Sequence, residues 1–179
     1  MAWLRDLLEK LLSFVPRIQI LEPWQSGLRI TCGRSIREIG PGIWFYWPLI
    51  QSTWWAYTAP QVVDLKNQSC RTLDGYDIII SGAIQYKVVN ARKNFLNVHD
   101  ADKSLTTLAL GVLCEYFSQK TFKECCEISK TKKELRKEIS DAANGWGLKI
   151  DEVFVTDIGK TRNLRLLTDP LISLLPAQG

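Results

Sequence analysis

Histidine occurs once in this chain, at His99, and none of the five cysteines (Cys32, Cys70, Cys114, Cys125, Cys126) stands in a C-x-x-C pair. A Cys/His zinc site of ordinary spacing and a set of several histidine ligands are therefore excluded, and no cofactor is expected. An odd thiol count without a secretory signal suits a reducing compartment. All five thiols, Cys32 included, are expected as small apolar core residues. Charge is modest as well: the net value is +4 over 179 residues, too little to demand nucleic acid as partner, so basic residues matter only where they cluster.

Long helical apolar runs are also missing. The stretch 39–63 has no charged residue, yet Pro41, Pro48 and Pro60, with Gly40 and Gly42, break helical hydrogen bonding repeatedly, so it is not a transmembrane helix. It reads instead as short β segments between turns, carrying Trp44, Phe45, Tyr46, Trp47, Trp54, Trp55 and Tyr57. With seven tryptophans in the chain, more aromatic surface is present than one small core needs. Trp44, Trp47, Trp54 and Trp55 are therefore expected at a lipid interface, where amphipathic rings are favoured.

What is present at the start of the chain is an amphipathic helix. Trp3, Leu4, Leu7, Leu8, Leu11, Leu12, Phe14 and Val15 recur at helical spacing, and Arg5, Asp6, Glu9, Lys10 and Ser13 fill the other face. Pro16 ends it at Val15. Its charges interrupt any signal-peptide core, and it is too short to span a bilayer. Such a helix lies on a surface, either a membrane or the protein's own core.

The rest reads as one α+β domain: a mainly β first half, then helices, then a returning strand. A short strand at 28–32 ends at Gly33. Two long runs, 62–69 and 77–90, flank the Asp74-Gly75 turn, and Gly82 marks a bulge or a close backbone approach. Asp100 or Asp102 can cap a helix carrying Leu105, Leu108, Ala109, Val112 and Leu113. Thr121–Glu124 and Thr131–Glu134 both have capping-box form, the second expected to begin a helix with Leu135 and Ile139 inward. A strand over 148–158 closes the domain.

Gly40-Pro41-Gly42-Ile43-Trp44-Phe45 followed by Pro48 resembles the glycine–proline–glycine signature of SPFH (Band 7) domains, the stomatin–prohibitin–flotillin group. The resemblance continues through Asp74-Gly75, through Tyr86-Lys87-Val88-Val89-Asn90-Ala91, and into Trp146-Gly147-Leu148-Lys149-Ile150 with Val153 and Asp157-Ile158. It implies a non-catalytic, membrane-associated scaffold that forms homo-oligomers and organises partners such as membrane proteases or channels. The expected division is 1–22 as membrane-associating helix and linker, 23–158 as the SPFH/Band 7 domain, and 159–179 as a short basic, then apolar tail. That tail is too short and proline-broken for the coiled coil that follows the domain in most members. Gly159-Lys160 also replaces the family's usual proline. Assembly is thus expected through domain edges or a partner that supplies the coil.

The expected membrane-binding residues are Trp3, Leu4, Leu7, Leu8, Leu11, Leu12 and Phe14 on the helix and the four loop tryptophans, with membrane lipids as partner on the cytoplasmic face. Two rival readings remain: a soluble lipid- or protein-binding module, and a nucleic-acid binder. Seven basic residues (Lys120, Lys123, Lys130, Lys132, Lys133, Arg136, Lys137) face four acids between 120 and 138, with Lys160, Arg162 and Arg165 beyond. The interleaved acids suggest a salt-bridged surface rather than a phosphate track, and no nucleic-acid partner is expected. Catalysis is not expected either: His99 has only Asp100 and Asp102 beside it, at a helix start where acids normally cap.

Overall fold

The computed structural model describes residues 15–161. The helix expected before Pro16, with all seven of its candidate membrane residues, lies outside them. Twelve elements follow in order: strands β1 (Arg17–Leu21), β2 (Gln25–Thr31), β3 (Ser35–Ile39), β4 (Gly42–Tyr46), β5 (Gln51–Tyr57), β6 (Gln61–Arg71) and β7 (Asp77–Val88), helices α1 (Ala91–Asn97), α2 (Ala101–Ser118), α3 (Phe122–Cys125) and α4 (Ile128–Ala142), and strand β8 (Leu148–Lys160). The order is α+β as expected. β1 is a strand within the stretch read from sequence as linker.

The front half is a set of short strands. β1 and β4 form an antiparallel ribbon, and β3, β2 and β5 form a second sheet in that order. Gly42, at the end of the glycine–proline–glycine motif, has φ +139°, a conformation that side chains rarely adopt. That freedom lets the chain leave β3 in one sheet and enter β4 in the other. Between them Leu21, Leu28 and Ile39 are almost fully buried around Gly27, where an added Cβ would come within 2.8 Å of both Leu21 and Ile39. Arg29 ties the two sheets by donating to the Phe45 carbonyl at 3.4 Å.

The rear half holds the main core. β6, β7 and β8 form an antiparallel sheet with β7 central, and Ile78, Ile84, Leu105, Phe117, Leu135, Ile139 and Val153 pack between it and α2 and α4. The Asp74-Gly75 turn is closed by Thr72 and Tyr76, with Gly75 at φ +82°. The Asp74 carboxylate reaches on to the Phe122 amide that begins α3. At Gly82 the β7–β8 register shifts and an added Cβ would run into the Phe154 carbonyl, the close approach expected there.

The last two family motifs meet at one corner. The Gly147 carbonyl accepts from Val89 and Asn90 at 2.9 and 3.0 Å. Asn90 caps α1 through Lys93 N at 2.8 Å, and Asn94 is buried beneath the Trp146 carbonyl. These residues therefore hold the end of β7, the start of α1 and the start of β8 together, a structural task.

Two expectations need correction. α4 starts at Ile128, not Thr131; the turn after α3 runs directly into it, and the Thr131 amide already donates to Glu127 O at 3.0 Å, so Thr131 is a buried helix residue, not a cap. The thiols also divide. Cys70 and Cys125 are buried and Cys114 half-buried, but Cys32 and Cys126 are exposed: Cys32 sits at φ +50° in the β2–β3 turn, and Cys126 ends the short helix α3.

Candidate functional site

The β1–β4 ribbon has two unlike faces, set by its register. Ile18 lies opposite Phe45 and Ile20 opposite Ile43, and since side chains alternate along a strand, these four share one face. They are 62%, 61%, 67% and 65% exposed respectively. The other face carries Leu21, buried against the second sheet, and Gln19 opposite Trp44. A two-stranded ribbon covers only one face when it docks on a sheet, so its second apolar face is left bare.

The loop from β4 to β5 carries further exposed apolar side chains. The Trp47 amide donates to Gln51 Oε1 at 3.1 Å, and the Ile50 and Gln51 amides return to the Trp47 carbonyl. With the backbone closed on itself, Trp47, Leu49 and Ile50 are left about half exposed. The exposed Cys32 turn adjoins this loop, its amide donating to Ile50 O at 2.7 Å. Trp24, Trp55 and Tyr57 add further half-exposed rings, Trp55 and Tyr57 meeting edge to face at 5.1 Å. Surfaces of this kind are rare on a protein that has nothing to bind.

Of the four expected tryptophans, Trp47 and Trp55 lie among these exposed residues. Trp44 is half-buried, its indole N–H donating to Gly40 O at 2.8 Å, and Trp54 packs on Phe95 of α1 at 5.0 Å. Missed as site residues were Trp24, Leu49, Ile50 and Tyr57, and with them the four of the ribbon face, Ile18, Ile20, Ile43 and Phe45. The signal for these last four was the alternation of Arg17-Ile18-Gln19-Ile20 and of Ile43-Trp44-Phe45, but which alternate face is outward depends on the docking of β1, a non-local fact.

A smaller cleft of about 170 Å³ lies between β5, β7 and the start of α2, lined in part by Trp54, Tyr86, His99, Asp100 and Asp102. Its acids are occupied. Asp100 caps α2 through Lys103 N at 3.2 Å, which holds its carboxyl below the usual range. Asp102 accepts the Tyr86 hydroxyl, whose pKa is raised first by burial and then by that bond. Burial likewise pushes the Cys70 thiol up to about 12 and Cys125 to about 11, so both stay protonated at neutral pH and are poor nucleophiles. Among the described residues no cluster of three or more His, Cys, Asp or Glu could hold a metal ion, and no helix is long and apolar enough to cross a membrane.

Comparison with known proteins accounts for the motifs. A family model described as "SPFH domain / Band 7 family" matches residues 19–165. An uncharacterized protein of Archaeoglobus fulgidus is 23% identical over 91% of this chain and 66% of its own length. A stomatin homolog of Pyrococcus horikoshii is 23% identical over 85% of this chain and 58% of its own, and mouse stomatin is 24% identical over 79% and 51%. The chain thus spans between about half and two thirds of the length of these relatives. The matched region takes in both halves of the fold, from the β1–β4 ribbon to the corner where Asn90 meets Gly147, and the chain belongs to the SPFH domain / Band 7 family.

Proposed function

We propose that this chain is a peripheral membrane scaffold domain, without catalysis of its own, that associates with lipid at the cytoplasmic face through its front half, self-associates, and organises membrane-protein partners such as proteases or channels. The observation that carries the reading is the bare outer face of the β1–β4 ribbon, Ile18, Ile20, Ile43 and Phe45. Burying those four in an interface gains about 1–2 kcal/mol each, comparable in sum to a single short acyl anchor and therefore reversible. Durable residence needs a second element or several copies. The helix expected at Trp3, Leu4, Leu7, Leu8, Leu11, Leu12 and Phe14 supplies the former. The latter is supported by a sheet whose order, β6-β7-β8, leaves two edge strands unpaired among the described residues.

Flotation with phosphatidylcholine vesicles tests the reading. The full chain is expected to float. Ile20→Glu/Phe45→Glu and Leu7→Glu/Leu11→Glu are each expected to reduce recovery about tenfold, and the former to leave the melting temperature unchanged because its targets are exposed. A full chain that stays in the aqueous fraction would favour a soluble lipid- or protein-binding module instead, and flotation indifferent to both pairs would remove the ribbon and the helix from the lipid contact.

A further inference from the structure

The basic segment between Lys120 and Glu138 reads from sequence as a salt-bridged surface, but α4 sorts its charges by direction. Glu134 turns toward α2, accepting the Tyr116 hydroxyl at 2.8 Å and pairing with Lys120 at 3.4 Å. Lys133, Arg136, Lys137 and Ser140 instead follow one another at helical spacing along the wall of a groove of about 520 Å³, where Lys149 of β8 joins them. Asp141 is the one acid lining that groove. Among the described residues no carboxylate lies within ion-pair distance of Lys133 or Lys137.

Arg136 is set in place before any ligand arrives. Its Nε donates to the Ile150 carbonyl of β8 at 3.3 Å, which fixes the plane of the guanidinium beside the groove and leaves its two terminal amino groups without a partner among the described residues. A held guanidinium fork suits bidentate contact with phosphate, and mobile lysines supply point charges around it. Like charges crowded into one concavity also repel one another, and a multiply charged anion relieves that repulsion. The groove lacks aromatic lining, so it offers nothing on which a nucleobase could stack, and its cations are gathered at one short stretch of α4 and the start of β8 rather than strung along a track, which suits a compact anion.

We propose that the α4–β8 groove is a binding site for a compact, multiply phosphorylated anion, held by Lys133, Arg136, Lys137 and Lys149 with Ser140 as a neutral donor. The anion is either a free polyphosphorylated metabolite or the headgroup of a phosphorylated lipid; the recognition chemistry is the same.

Calorimetric titration of the full chain with inositol hexakisphosphate tests this. Saturable binding is expected at physiological salt, weakened about tenfold or more in Lys133→Gln/Lys137→Gln and little changed in Lys123→Gln/Lys130→Gln, which removes the same charge elsewhere on the surface. Absence of binding, equal loss in both double variants, or preference for a single-stranded oligonucleotide regardless of Lys133 and Lys137 would overturn the proposal. The source is separated by adding phosphatidylinositol bisphosphate to phosphatidylcholine vesicles. Groove-dependent gain in flotation identifies a lipid headgroup, and groove-dependent binding of the soluble probe without that gain identifies a free anion. Ile20→Glu/Phe45→Glu is expected to bind the soluble probe normally, so failure of the membrane reading and failure of this one give different results.

Discussion

Single residues in this fold divide into those that join elements and those that remain for recognition, and the family's motif residues are mostly of the first kind. Gly147 shows why. Its φ is +72°, and an added Cβ would overlap the Asn90 carbonyl and lie 3.0 Å from Asn94 N and from Lys93 Cβ. Backbone strain and steric overlap therefore act together. Gly147→Ala is expected to destabilise by about 2–4 kcal/mol, lowering the melting temperature by about 5–15 °C. Gly111, in the middle of α2, has nothing within 4 Å of its would-be Cβ. Gly111→Ala is expected to stabilise by about 0.5–1 kcal/mol, because alanine loses less conformational entropy in a helix. Thermal unfolding of the two variants checks both signs. The tryptophans show the limit of reading by residue type: Trp44 and Trp47 are three residues apart, yet one is tied to Gly40 O and the other half exposed.

Elements are held at their ends by carboxylates, and this makes stability depend on pH in a definite direction. Asp74 is lowered chiefly by the Thr72 hydroxyl, Asp100 and Glu124 by the Lys103 and Thr121 amides, and Glu134 by the Tyr116 hydroxyl. Each bond favours the ionised form in the folded state. Their contribution is complete above the ordinary values of 3.8 and 4.5 and disappears as pH falls through the lower folded values. The melting temperature is thus expected to be level from neutrality to about pH 5 and to fall below it, less steeply in Asp74→Asn/Glu134→Gln. Glu138 runs the other way, raised by desolvation and then by Glu134 and Glu115, so Glu138→Gln is expected to gain stability at neutral pH. The elements themselves were largely legible. The Asp74-Gly75 turn, the Asp100 cap and the Thr121 capping box are local signals, and the chain obeys them. β1 was missed because its alternation runs over only five residues, Arg17–Leu21, too short a signal by itself, and pairing with β4 completes it. The bare ribbon face and the α4–β8 groove were illegible for the same reason: each is made when distant segments dock.

Across the whole molecule, burial is unevenly shared. Every member of the main core comes from Leu65 onward, whereas the front half is fastened by Leu21, Leu28 and Ile39, the Arg29 bridge and the Trp54–Phe95 contact with α1. Local opening costs least where fewest apolar contacts must be broken. Amide exchange is therefore expected to be slowest in β7, the central strand of the rear sheet, and fastest in β1 and β4, whose ladder hydrogen bonds join only each other. This asymmetry suits a part that meets lipid: a ribbon with one bare face and few internal contacts can adjust to an interface while the rear half keeps its shape. Adding phosphatidylcholine vesicles should then slow exchange in β1, β4 and the Trp47–Gln51 turn and leave β7 unchanged. Protection that appears uniformly, or first along β6 or β8, would place the lipid- or partner-binding surface on the rear sheet and remove the ribbon from that role.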